Sequence, residues 1–178
     1  MSYQVRPLRT DDLPSVTRIY NAACHARETT EGTRPWSDQR MKEFLLDAGP
    51  SFESYTCEDG GTVVGWTAIT RLRLREDVKH AAEMSLYVQE SVRRRGIGSA
   101  LANTLLSRAS IIDLHCIVGF VFADLPEVVS FSERRCGFSI AGCLSELFSD
   151  GEKHRDILLL EKLVEPRKHS RPSRSSIP

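Results

Sequence analysis

No apolar run in the 178 residues approaches the roughly 20 needed to cross a bilayer, and the N-terminal MSYQVRPLRTDD lacks the apolar core of a secretory leader. The expectation is a soluble protein of the cytoplasm. Charge of one sign is not in excess either: Lys plus Arg and Asp plus Glu number 24 each. A global field that would draw the chain to nucleic acid or an anionic membrane is therefore missing, and any basic site must be local. The five cysteines, Cys24, Cys57, Cys116, Cys136 and Cys143, form no C-x-x-C pair, so free buried thiols are expected in place of a disulfide frame or zinc site. His25, His80, His115 and His154 show no metal-ligand spacing, and no metal is expected. There is no G-x-x-x-x-G-K-[ST], which sets a P-loop aside.

What the chain does have is a regular alternation of periods. Tyr3 to Leu8 reads as a strand, and Thr10 with Asp11 and Asp12 reads as a helix cap with acids in the first turn. Leu13, Val16, Ile19, Tyr20 and Ala23 then recur at helical spacing. The polar stretch HARETTEGTRPW, residues 25–36, is a loop, after which Ser37 caps a second helix carrying Met41, Phe44, Leu45 and Ala48 and ended by Gly49-Pro50. Glu53 to Glu58 and Thr62 to Arg71, joined by Asp59-Gly60-Gly61, predict a hairpin. Arg71 to His80 is a charged loop or frayed strand end, and EMSLYV from Glu83 is the next strand. Ile97, Ala100, Leu101, Thr104, Leu105 and Ala109 form a helical stripe, followed by a strand over His115 to Ala123. Pro126 to Cys136 predicts a helix ended by Gly137, and Phe138 to Phe148 with His154 to Lys162 a closing hairpin. Residues 1–164 make one domain, and 165–178, EPRKHSRPSRSSIP from Glu165, have too little apolar surface to fold and read as a basic tail.

The chemistry concentrates in RRRGIG, Arg93 to Gly98, wedged between a strand and a helix. Glycines let backbone amides converge on a ligand, the helix adds its positive end, and flanking arginines neutralise an anion there. A phosphate or pyrophosphate is the natural guest; the bland alternative is a solvated cationic turn. A strand, a helix and another strand in succession favour parallel pairing, with the cradle at the carboxyl end of a sheet strand.

With Arg93-x-x-Gly96-x-Gly98 in that position, and the order β-α-α-β-β-β-loop-α-β-α-β-β around it, the chain resembles the GNAT superfamily of acyl-CoA N-acyltransferases. VRPLRTDDLPSVTRIYN, AAEMSLYVQESVRRRGIGSAL and ERRCGFSIAG look most like phosphinothricin acetyltransferase and its relatives, over about Val5 to Lys162. The resemblance implies an α/β fold: a twisted, mostly antiparallel sheet whose one parallel pair splays at the cofactor site, flanked by helices. It implies acetyl-CoA as co-substrate, its pantetheine arm paired to the backbone of Leu86, Tyr87 and Val88. The pyrophosphate would lie at Arg93, Arg94, Arg95, Gly96, Ile97, Gly98 and Ser99. Glu83 falls where similar enzymes carry a glutamate that deprotonates the amine, and shares a strand face with Ser85 and Tyr87; the alternative is an exposed carboxylate pairing with Arg71 or Arg73. An oxyanion would meet a backbone amide near Val88, freed by a bulge. Arg75 matches the position of an arginine that holds the acceptor's carboxylate, and is otherwise a solvated loop cation. Where many relatives place a tyrosine, SFSERRCGF offers Ser130 and Ser132 with one residue extra in the spacing, which leaves the general acid unassigned. The activity implied is acetylation of the primary amine of a small molecule, an amino acid or analogue. The alternatives are a peptide or protein acetyltransferase and a non-catalytic acyl-CoA sensor. Dimers are common among such proteins, and the hairpin at Phe138 to Phe148 offers an interface.

Overall fold

Thr62–Arg71 shows why the sheet has two covered faces: eight consecutive residues of this strand are buried, as a strand roofed by helices on both sides requires. The structure, a computed structural model, describes residues 3–46, 53–72 and 76–164. Arg73, Arg75, Ala48, Gly49, Pro50 and the tail after residue 164, all singled out in the sequence, lie outside the described residues.

The described strands form one seven-stranded sheet in the order β1-β2-β3-β4-β5-β7-β6. They are β1 (Tyr3–Pro7), β2 (Ser54–Asp59), β3 (Thr62–Arg71), β4 (Ala81–Val88), β5 (Cys116–Phe122), β6 (Ser139–Ser149) and β7 (His154–Leu163). Every neighbouring pair is antiparallel except β4 and β5. The helices are α1 (Leu13–His25), α2 (Asp38–Leu45), α3 (Ile97–Ala109) and α4 (Pro126–Phe131). Trp66, Ala68 and Tyr87 pack with Val16, Tyr20 and Met41 of α1 and α2 on one face of the sheet. Ile69, Ala82, Ala102, Leu105, Ile117 and Leu160 form the core of the other face, under α3. The fold class and element order read from the sequence are those observed.

Local chemistry departs from the sequence reading in three places. Thr10 opens a single 3-10 turn in place of a helix cap; the Asp12 carboxylate accepts the Arg9 amide at 2.8 Å and grips Arg6 at 2.7 Å, and α1 starts one residue later. By contrast Ser37 caps α2 as expected, its hydroxyl accepting the Arg40 amide at 3.2 Å. The helix after Pro126 ends in a π turn over Ser132–Cys136, stopped by Gly137 at φ 72°. A π turn is how a helix absorbs one surplus residue, which accounts for the extra residue in SFSERRCGF. Last, β4 pairs with β3 in unbroken register from Ala82 to Val88, so β4 has no bulge at Val88; register shifts lie instead in the β2–β3 hairpin, at Cys57 and Glu58, and between β6 and β7.

Candidate active site

The site begins where the parallel pair separates. β4 and β5 pair at Ala81↔Cys116, Ala82↔Ile117 and Glu83↔Val118 and nowhere beyond, although β4 runs on to Val88 and β5 to Phe122. Glu83 therefore stands at the apex of a wedge. The β5-facing backbone groups from Met84 to Val88 are left without a strand partner, ready to pair with an extended ligand. Divergence of the strands, not a bulge, frees these amides. At Gly119, the residue after the last parallel pair, a β-carbon would meet nothing within 4 Å, so the space beside the strand is open there.

RRRGIG forms the mouth of the wedge. Gly96 takes φ 85° ahead of α3, a conformation that costs a side chain about 1–2 kcal/mol. At Gly98 a β-carbon would sit 3.2 Å from the Phe131 ring, so glycine lets α3 and α4 close together. The amides of Arg94, Arg95 and Gly96 make no backbone hydrogen bond among the described residues, and those of Ile97, Gly98 and Ser99 are the orphan donors of the first helical turn. Together they are a run of unpartnered donors of the kind that binds anions. The arginines behave less uniformly than expected. Arg93 donates to the Val88 carbonyl at 3.2 Å and pairs with Glu28 at 2.6 Å, and Arg95 pairs with Asp59 at 2.9 Å. Arg94, exposed and at φ 61°, has no side-chain partner among the described residues and is the cation at hand.

A cleft of about 130 Å³ runs through the wedge. Phe131 and Ser132 line it from the α4 side, Phe120 and Gly119 from β5, and Glu31 and Glu83 from the side of α1 and α2. Glu83 is half-buried and has no ion pair across the hairpin among the described residues, which exclude Arg73. Burial, together with the second acid Glu31 beside it, pushes Glu83 up to about 7. Burial likewise raises Glu31. The Tyr87 side chain lies in the core, its hydroxyl 2.7 Å from Thr29 Oγ1, while its backbone lines the wedge. Ser132 lines the cleft, its hydroxyl donating to the Val128 carbonyl at 2.9 Å. Sequence reasoning missed Glu31: it sits in a polar loop with no period, and only the fold brings it to Glu83.

The model of the acetyltransferase (GNAT) family matches residues 14–138. Among curated proteins, the phosphinothricin N-acetyltransferase of Alcaligenes faecalis is 29% identical over 154 residues, covering 74% of this chain and 76% of its own. The L-methionine sulfoximine/L-methionine sulfone acetyltransferase of Pseudomonas aeruginosa is 25% identical over 173 residues, covering 93% and 97%. Among solved structures, a phosphinothricin acetyltransferase from Sinorhizobium meliloti in complex with acetyl-CoA has the same fold, with TM-score 0.85, 21% identity and coverage of 100% of this chain and 97% of that one. The split sheet, the glycine turn and a match over most of the chain agree: the chain belongs to the acetyltransferase (GNAT) family and is an acetyl-CoA-dependent N-acetyltransferase.

Proposed function

We propose that the protein transfers the acetyl group of acetyl-CoA to the primary amine of a small molecule, an amino acid or an analogue of the phosphinothricin and methionine sulfoximine kind, directly within a ternary complex. The observation that carries this reading is Glu83 at the apex of the wedge, reached by the cleft from both faces of the sheet. The nest at Arg94 to Ser99 would hold the diphosphate and the free edge of Leu86 to Val88 the pantetheine arm, which brings the thioester to the apex from the α3 side. The amine would enter from the α1 side. Glu83 then takes a proton from the ammonium, as a base matched to near-neutral pH. The departing thiolate has a reference pKa near 8.5 and needs no strong acid, which suits a cleft with a serine where relatives carry tyrosine. Arg75 as the carboxylate clamp belongs to this proposal, as do a homodimer and a cytoplasmic location.

A coupled thiol-release assay with acetyl-CoA, phosphinothricin, L-methionine sulfoximine, L-methionine sulfone and simple amines tests the reading. Turnover of at least one of these amines, lost in Glu83→Gln with acetyl-CoA affinity retained, is expected. Acetyl-CoA binding without amine-dependent thiol release would instead mark an acyl-CoA sensor.

A further inference from the structure

We propose that Glu31 is a positioning residue for Glu83: the two carboxyl groups hold one proton between them and receive the ammonium end of the acceptor as a unit. This rests on the reading of Glu83 as the base and deepens it. Two carboxylates that share one partly buried cleft repel each other, which favours the state in which one of them carries a proton. Both line the same cleft, where the low polarity of the walls penalises a second negative charge.

Glu31 is placed by the loop between α1 and α2, whose successive residues are each tied to a different element. The Arg27 carbonyl accepts from Arg155 of β7 at 2.7 Å. Glu28 pairs with Arg93 of the glycine turn at 2.6 Å. The Thr29 hydroxyl meets Tyr87 of β4 at 2.7 Å and also accepts the Glu31 amide at 3.2 Å. Thr30 donates to the Phe120 carbonyl of β5 at 3.4 Å. Glu31 is thus held by the ties of its own loop in the cleft that Glu83 lines. Among the described residues, the other titratable and charged groups around the pair are Glu28 on the same loop, Tyr20 on α1, Arg40 on α2 and Tyr87 on β4. Both tyrosines are buried and kept neutral, and Arg40, stacked on Trp36 at 4.3 Å, is the cation that acts on Glu31.

The chemistry balances as follows. An arriving ammonium replaces the shared proton, which leaves to solvent, so that one cation faces two carboxylates. One N–H bond then breaks and its proton returns to the pair, restoring the singly protonated state that the pair holds when alone. The freed lone pair forms the C–N bond as the C–S bond breaks, and the second amine proton ends on the departing thiolate. Glu31 therefore makes Glu83 a stronger proton acceptor than an isolated carboxylate, and favours acceptors that arrive as cations.

The test compares the full chain with Glu31→Gln and Glu31→Asp. In protein carrying 13C-labelled glutamate, the Glu83 carboxyl carbon is expected to titrate near neutrality and in a coupled manner, and to fall by roughly one unit or more in Glu31→Gln, because the repelling charge is gone. With phosphinothricin or L-methionine sulfoximine as acceptor, the acid limb of kcat/KM should move down with it. Its plateau should fall by about tenfold as the base weakens. Glu31→Asp should restore part of both, and acetyl-CoA affinity should stay within about twofold in each variant. An unchanged Glu83 titration in Glu31→Gln overturns the proposal. A coupled titration in a protein that acetylates neither amine supports the pair and overturns the acceptor reading instead.

Discussion

Glu83 joins two opposed demands, since the burial that makes it a usable base also makes its charged form costly. It is raised above the usual carboxylate range to about 7, and as the base proposed above it would act only when deprotonated, so kcat/KM should rise with pH through about 7. Glu83→Gln should lower kcat by about 10²–10⁴ at pH 8 with little change in acetyl-CoA affinity, read by steady-state kinetics and calorimetry. The same shift has a thermodynamic sign. Between the ordinary glutamate range and pH 7 the folded protein binds more protons at Glu83 than the unfolded chain does, so this residue's contribution to stability declines as pH rises. At pH 8 Glu83→Gln should therefore raise the melting temperature, by about 2–4 °C for each 1 kcal/mol recovered, while activity is lost. Cysteine chemistry can be predicted on the same scale. Burial pushes the thiols of Cys57 and Cys136 up to about 11, whereas Cys143 is exposed. Alkylation of the native protein at pH 8, followed by mass spectrometry, should label Cys143 first.

At the scale of elements, the loop between α1 and α2 carries as much of the site as the strand that holds Glu83. The Tyr87–Thr29 bond pins it from below, in a core of Trp66, Tyr20 and Trp36. Tyr87→Phe keeps that packing and removes only the hydroxyl, so it should cost about 1 kcal/mol in urea unfolding and lower turnover severalfold, with acetyl-CoA binding intact. Loss of acetyl-CoA binding in this variant would show that the loop serves the cofactor rather than the acceptor. The contrast with the glycine turn explains what the sequence disclosed. Arg93 to Ser99 acts through its own backbone within one turn of chain, so spacing alone reveals it. The apolar stripes of α1 and α3 are equally local, and their periods place them. Glu31 enters the cleft of Glu83 only because the loop is tied across the sheet, and no period in HARETTEGT marks that. The π turn at Ser132–Cys136 left a trace as one surplus residue, but what absorbs a surplus is decided by packing of α4 against α3. Likewise, the free amides of β4 were expected from a bulge and come from divergence of β4 and β5, a property of the sheet that no single strand encodes.

For the whole molecule, the sheet ends on β6, a strand paired only with β7 and exposed along most of its length. Ile140, Leu144 and Leu147 are exposed on it, Leu147 at 61%. A long edge strand with exposed apolar residues is a self-association hazard unless something covers it. Its pairing register is interrupted at Ile140 to Gly142 and Leu144 to Phe148, with Glu146 at φ 54°, and these bulges discourage open-ended stacking of strand upon strand. They leave side-chain packing between two copies as the means of covering the leucines, which is the homodimer proposed above. Light scattering on the eluting protein should give twice the 20.0 kDa chain mass. Leu147→Glu, a change at a position that supports no core contact, should shift it to the monomer without loss of secondary structure. A wild-type monomer at micromolar concentration would refute the dimer, and would leave the wedge, the glycine turn and the carboxyl pair untouched, because each of them is built from this chain alone.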